Sequence, residues 1–368
     1  MKEIKFGRSL VSINRPCYVI AEIGHNHQGS LEKALQMIKI AAQCGADAVK
    51  FQKRNNKQLY TKAMYNKPYD NENSYGATYG EHREYLEFEW NEYVELKKCA
   101  DQNNIEFMST AFDFDSVDFL ERLGITSYKF ASADLTNIPL LKYAAQFKKP
   151  IFLSTGAATL DEIRLAYDAI RAYHNDICLL HCICGYPTEY EDLNLRVIET
   201  LIKEFPDAVI GYSGHDNGIL ASVLAYMLGA QVVEKHFTLN HAMKGTDHKF
   251  SLEPIGLQKQ IRDLRRVDLA LGEPIKRLWD YEISARDKMG KSIYTQRPLP
   301  AGHVLQKSDL LLKSPGGGLP PYKLDNVVGR QLAVALEEET QLAWEHMEYA
   351  FEDEKTNISN REAVLTGN

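Results

Sequence analysis

Eight short apolar runs recur along most of the chain, each followed by a stretch of helical periodicity. They are "CYVIAEIG" (17–24), "DAVKFQK" (47–53), "IEFMSTAF" (105–112), "SYKFASAD" (127–134), "PIFLSTG" (150–156), "CLLHCIC" (178–184), "AVIGYSGH" (208–215) and "VVEKHFTL" (232–239). The segments between them are amphipathic. In "SLEKALQMIKIAAQCGA", Leu31, Ala34, Leu35, Ile38 and Ala41 recur at helical spacing, Ser30 can cap the start and Gly45 can end the helix. Eight strand–helix repeats predict an α/β fold, a (β/α)8 TIM barrel over residues 1–275. A doubly wound open sheet is the alternative, but it needs a glycine-rich dinucleotide loop after the first strand, and "GHNHQGS" is not one.

After residue 275 the texture changes. A charged linker is expected over 276–289, a compact β-rich module over 290–350, where Pro and Gly break short strand candidates, and a polar tail over 351–368. A net charge of −7 offers no basic face for nucleic acid. No run approaches the roughly 20 apolar residues that span a bilayer, and "MKEIKFGRSL" lacks a signal-peptide core. A cytoplasmic protein with neither membrane nor nucleic acid as partner is expected. The cluster "CLLHCIC" invites a metal reading with His181, but on a strand Cys182 and Cys184 share one face while His181 points to the other. Buried strand cysteines are the better account.

In a TIM barrel, chemistry collects at the C-terminal ends of the strands. Here those ends carry Glu22, Lys50, Gln52, Thr110, Lys129, Ser132, Asp134, Ser154, Tyr186, Ser213, His215, Glu234 and His236. Period-two geometry puts Ser213 with His215 and Glu234 with His236, so neighbouring strands can aim two imidazoles at one point. His215 and His236 are therefore candidate ligands for a divalent metal, Mn2+ or Mg2+, with Zn2+ or Co2+ as further options. Lys50 and Lys129, with the hydroxyls of Thr110, Ser132, Ser154 and Ser213, describe a phosphate or carboxylate site. Two other readings of the lysines stand beside it: pairing with Glu22, Asp134 or Glu234, and a Schiff-base aldolase. In "AEIGHNHQGS" (21–30), Glu22, at the end of the first strand, is the candidate for chemistry.

The motifs "IAEIGHNHQGS", "GADAVKFQK", "TYGEHREYLEF", "YKFASADLTN", "STGA", "YPTEYEDLNLR", "GYSGHDNG", "EKHFTL" and "KGTDHKFSLEP" resemble those of the sialic acid synthase family. The resemblance runs from about residue 15 to 350, and includes a C-terminal antifreeze-like (SAF) domain. "TYGEHREYLEF" and "GYSGH" look like the animal-type enzymes that use a 6-phosphorylated sugar. What it implies is condensation of phosphoenolpyruvate with a mannose-type aldose, giving a nine-carbon 2-keto-3-deoxy acid and phosphate by C–O cleavage. Carried over by position, His215 and His236 hold the metal, whereas His25 falls at a solvent-facing or rim position that the family varies, and Asn26 and His27 match a pair that shapes the loop or lines the pocket. Lys50, Thr110, Lys129, Ser132, Ser154 and Ser213 hold phosphoenolpyruvate, Glu22 handles the attacking water, and Gln52, Asp134, Tyr186 and Asp247 meet the sugar. A homodimer is implied, with the SAF domain reaching the other subunit's barrel.

Two positions depart from the family's usual bacterial pattern. Cys184 stands where an asparagine contacts phosphoenolpyruvate, and Ser314 where an arginine binds an N-acetyl carbonyl. The acceptors compatible with the motifs are N-acetylmannosamine 6-phosphate first, then mannose 6-phosphate and free N-acetylmannosamine. A sugar phosphate would meet the long polar segment after the second strand, with Lys67, Tyr79, His82 and Arg83 as candidates. Outside this class stands a carbohydrate-binding protein without turnover.

Overall fold

In a computed structural model, which describes residues 3–348, each of the eight apolar runs coincides with a strand to within one residue at its start. A hairpin precedes them, β1 (Ile4–Phe6) and β2 (Ser9–Val11). The eight are β3 (Tyr18–Glu22), β4 (Ala48–Lys53), β5 (Glu106–Ala111), β6 (Tyr128–Phe130), β7 (Ile151–Ser154), β8 (Ile177–Cys182), β9 (Val209–Gly214) and β10 (Val232–His236). All pair in parallel, and β10 pairs with β3 as well as with β9, so the sheet closes. Closure settles the choice in favour of the TIM barrel over the open sheet. The helix after β3 spans Leu31–Gln43. Its Ser30 hydroxyl accepts from the Lys33 N–H, and Gly45, at φ +90°, follows its C-terminus.

Each strand alternates between two cores. Outward residues such as Val19, Ala21, Val49, Phe51 and Leu153 pack beneath the helices. Inward residues change character along the strand. Near the start they are apolar (Tyr18, Ile20, Ala48, Met108, Phe152, Val232), and toward the C-terminal end they become Glu22, Lys50, Thr110, Ser154 and Glu234. Ile4, Phe6 and Val11 of the hairpin join the apolar inner set, with the Phe6 ring 4.1 Å from that of Phe152. The hairpin thus plugs the end of the barrel opposite the polar layer. The eight apolar runs of the sequence do not include it.

The polar segment after β4, expected as a loop, folds into three short helices, Asn56–Leu59, Lys62–Tyr65 and Tyr79–Leu86. Thr78 and Glu81 form a capping box at the start of the third, which ties the Ala77 and Thr78 N–H groups to the Glu81 carboxylate.

The chain folds as two compact units, with the boundary at Gly272/Glu273. In the second, β11 (Ser292–Thr295) pairs antiparallel with β12 (Leu310–Lys313) over a core that includes Ile293, Leu299, Leu305, Leu332 and Leu342. The stretch read as a linker contains a helix, Asp280–Met289. The expected tail over 351–368 lies outside the described residues. Among those described, no helix is long and apolar enough to cross a membrane.

Candidate active site

Parallel register sets which groups meet at the barrel mouth. Glu22 lies level with Lys50 on β4 and with His236 on β10, and Ser213 lies level with Glu234. A ladder of alternating charge results. Lys50 Nζ is 2.7 Å from Glu22 Oε2 and 3.5 Å from Glu234 Oε1, and Lys129 Nζ is 3.7 Å from that same Glu234 oxygen. All four side chains are buried, a costly arrangement unless each charge faces its opposite. Burial favours neutral Lys50, but Glu22 and Glu234 outweigh it and raise the pKa. Burial also opposes ionisation of Glu234, yet Lys129 and Lys50 hold its carboxyl down at about 2. At Glu22 burial prevails over Lys50, and the pKa is raised. The lysines are thus paired with Glu22 and Glu234, and not with Asp134.

Hydroxyls surround the ladder. Lys50 Nζ donates to Thr110 Oγ1 at 3.0 Å and Lys129 Nζ to Ser154 Oγ at 2.7 Å, while Ser213 Oγ donates to Glu234 Oε1 at 3.1 Å. Ser132 Oγ accepts the Gly156 N–H at 3.0 Å. Position 156 has no room for a side chain: a Cβ would stand 2.6 Å from Cys184 Sγ and 2.9 Å from Ser132 Oγ.

Across the mouth, the His215 and His236 rings lie 5.5 Å apart. His215 Nδ1 is 2.9 Å from the Ile183 carbonyl oxygen. A carbonyl only accepts, so Nδ1 carries the proton and Nε2 keeps its lone pair. Burial, then the neighbouring His236, lowers the His215 pKa to about 4. Burial lowers that of His236 too, and its Nδ1 is buried without a hydrogen-bond partner, 3.7 Å from Asp247 Oδ2. Phe250 packs edge-on to both rings, and the Tyr186 ring lies tilted 4.2 Å from that of His215. The imidazoles and the lysine–hydroxyl wall line one cavity of about 580 Å3, together with Gln52, Tyr186 and Asp247. An electron-rich anion and an electrophilic carbonyl could be brought together there.

A NeuB family profile matches residues 37–276, and a SAF domain profile matches residues 290–348. The chain belongs to the NeuB family. It is 40% identical over 325 residues to the N-acetylneuraminate-9-phosphate synthase of Homo sapiens, covering 88% of this chain and 90% of that one. The N,N'-diacetyllegionaminic acid synthase of Legionella pneumophila is 38% identical over 338 residues, covering 90% and 95%. A solved structure of the N-acetylneuraminic acid synthetase of Leptospira borgpetersenii, in complex with citrate, matches with a TM-score of 0.67 at 33% identity, covering 77% of this chain and 95% of that one. The resemblance to sialic acid synthases holds, and the chain is an enzyme, a synthase of this family.

Not every expected residue of this NeuB-family enzyme reaches the cavity. Asp134 does not line it. The strand ends at Phe130 and the chain enters a 3-10 turn, Ser132–Asp134, so residues two apart no longer share a face. Asp134 is instead buried, accepting from Asn137 Nδ2 at 3.4 Å, and burial raises its pKa to about 6. Lys67 is exposed and away from the cavity, and the Tyr79 hydroxyl is turned to Arg83. His82 lines a small adjoining cavity, whereas Arg83 lines both. Asn26 anchors the first loop, its Nδ2 donating to the Phe237 carbonyl at 2.8 Å and to Ser251 Oγ at 2.9 Å, and His27 stacks on Phe88 at 4.3 Å. His181 meets the Leu193 carbonyl at 2.8 Å. Cys182 and Cys184 instead line the cavity, Cys182 buried as expected but Cys184 exposed, because β8 ends at Cys182 and position 184 is no longer on the strand. Among the described residues, no three His, Cys, Asp or Glu side chains converge as a metal cluster. Arg54 was missed, although it continues the period-two series Lys50, Gln52 that could have found it.

Proposed function

We propose that this enzyme condenses phosphoenolpyruvate with N-acetylmannosamine 6-phosphate, yielding a nine-carbon 2-keto-3-deoxy acid 9-phosphate and inorganic phosphate. The supporting observation is one cavity that joins a lysine–hydroxyl wall to two neutral imidazoles. Lys50 and Lys129, with Thr110, Ser132, Ser154 and Ser213, hold phosphoenolpyruvate by offsetting its charge with ammonium and hydroxyl donors. Gln52, Tyr186 and Asp247 meet the sugar hydroxyls. The methylene carbon of phosphoenolpyruvate attacks the aldehyde carbon, forming the new C–C bond as the C=O π bond opens, and the aldehyde oxygen takes a proton from solvent water. Water adds to the cationic C2 and gives its proton toward Glu22. The C2 hydroxyl then gives its remaining proton to the phosphate as the bond between C2 and the phosphate oxygen breaks, releasing phosphate and leaving the C2 ketone. A carboxylate whose pKa is raised by burial is suited to take that proton.

His215 and His236 would hold a divalent metal, Mn2+ or Mg2+. The fit rests on the free Nε2 lone pair of His215, the unpartnered buried Nδ1 of His236, and lowered pKa values that keep both rings in the neutral, ligating form. When bound, such an ion polarises a carbonyl as a Lewis acid. The SAF domain and the family's implied homodimer belong to the same reading. Phosphate release from phosphoenolpyruvate should depend on both Mn2+ and the acceptor, and should stop on chelation. Turnover that persists with excess chelator would remove the metal from this account.

A further inference from the structure

Two guanidinium groups meet at the rim of the cavity across a single imidazole. Arg54 lies just past the end of β4 and is buried, with its guanidinium 3.8 Å from the Phe112 ring centroid. Arg83 comes from the helix Tyr79–Leu86. Both reach the same ring: Arg54 Nη1 is 2.9 Å from His25 Nε2, and Arg83 Nη1 is 3.2 Å from His25 Nδ1. Burial, and then the two flanking cations, keep this imidazole neutral. A neutral imidazole accepts at one nitrogen and donates at the other, so it can satisfy only one of two guanidinium donors. The other N–H faces an N–H.

Arg54 has partial compensation elsewhere, since Gln52 Oε1 accepts from its Nη2 at 2.5 Å and Glu87 Oε1 lies 3.6 Å from its Nη1. Arg83 has less. Its Nε and Nη2 share the Tyr79 hydroxyl oxygen, at 3.0 and 2.9 Å, and it forms no ion pair among the described residues. Two clustered cations with an unsatisfied donor call for an anion that accepts from several N–H groups at once. A phosphate monoester has that geometry.

We infer that Arg54 and Arg83, spanned by His25, form the site for the terminal phosphate of the acceptor sugar. The inference rests on the condensation proposed above and names what reads the acceptor's far end. Gln52 ties the pair to the reacting centre, donating to Glu22 Oε1 at 2.7 Å while it accepts from Arg54. Asp247 and Arg83 line the same stretch of cavity wall. An open-chain hexose with its aldehyde near His215 and His236 passes Gln52 and Asp247 on its way to the arginines. The site thereby replaces Lys67, which the fold leaves in solvent.

The test compares wild type and Arg83→Gln with N-acetylmannosamine 6-phosphate and with N-acetylmannosamine. The variant should lose about 30- to 100-fold in kcat/KM for the phosphorylated acceptor, mostly through KM, and stay within about threefold for the free sugar. A calorimetric titration with mannitol 6-phosphate, which has no aldehyde, in the presence of phosphoenolpyruvate reads the site apart from turnover. Its affinity should fall by a similar factor in Arg83→Gln. Equal losses with both acceptors, or no loss with the phosphorylated one, overturn the inference and leave the condensation standing. Wild-type turnover of free N-acetylmannosamine alone overturns the acceptor reading, and this inference with it.

Discussion

With Lys50 Nζ 2.7 Å from one carboxylate oxygen and Gln52 donating to the other at 2.7 Å, Glu22 is fixed at the end of β3. Its charge is balanced in a place where an unpaired carboxylate would be untenable. Glu22→Gln should lower kcat by about 10²- to 10⁴-fold, as expected for loss of a general base, without weakening phosphoenolpyruvate binding measured by calorimetry. A kcat within about threefold of wild type would remove Glu22 from proton transfer. His27 gives a different residue-scale expectation. Burial against Phe88 lowers its pKa from 6.5 to about 3. Below 6.5 the unfolded chain binds a proton that the folded chain excludes. The contribution of neutral His27 to stability is therefore complete above 6.5 and is lost as pH falls toward 3. Between pH 7 and pH 5 that loss is about 2 kcal/mol. Urea unfolding of wild type and His27→Phe at the two pH values checks it, and the variant should lose less. The polar strand ends were legible in the sequence because period two fixes which side chains face inward. Asp134 was not, because its 3-10 turn changes the period after Phe130.

At the scale of elements, eight apolar runs with helices between them left few alternatives, and the caps at Ser30 and Gly45 were visible as residues. Two elements were not visible. The hairpin Ile4–Phe6 and Ser9–Val11 has three residues per strand, too few for alternation to stand out, and it acquires meaning only by inserting Phe6 beside Phe152. The segment after β4 reads as a polar loop because its helices are short and bury few apolar side chains. That segment supplies Arg83 to the cavity wall, and no periodicity in the sequence links it to Arg54 and His25. If the hairpin is the barrel's floor, Phe6→Ala should cost about 3–5 kcal/mol in urea unfolding, the range for emptying a buried aromatic site. A cost below about 1 kcal/mol would mean that the barrel closes without it.

At the scale of the molecule, the barrel separates stability from chemistry along its axis. The inner apolar layer and hairpin lie at one end, and the charge ladder, hydroxyls and imidazoles at the other. The lysine wall and the imidazoles come from strands far apart in sequence. Only closure of β10 onto β3 brings His236 level with Glu22. That convergence could be anticipated from strand count, but the 5.5 Å approach of the imidazoles and the guanidinium pair could not. The proposed reaction joins phosphoenolpyruvate to a phosphorylated mannose-type aldehyde in this cavity, with C–O cleavage. Mass spectrometry of the products formed from phosphoenolpyruvate labelled with 18O in its bridging oxygen, with N-acetylmannosamine 6-phosphate and Mn2+, tests it most directly. The expected products are a nine-carbon keto acid phosphate and inorganic phosphate that carries the 18O. Label retained in the keto acid, or no nine-carbon product, would contradict that reaction.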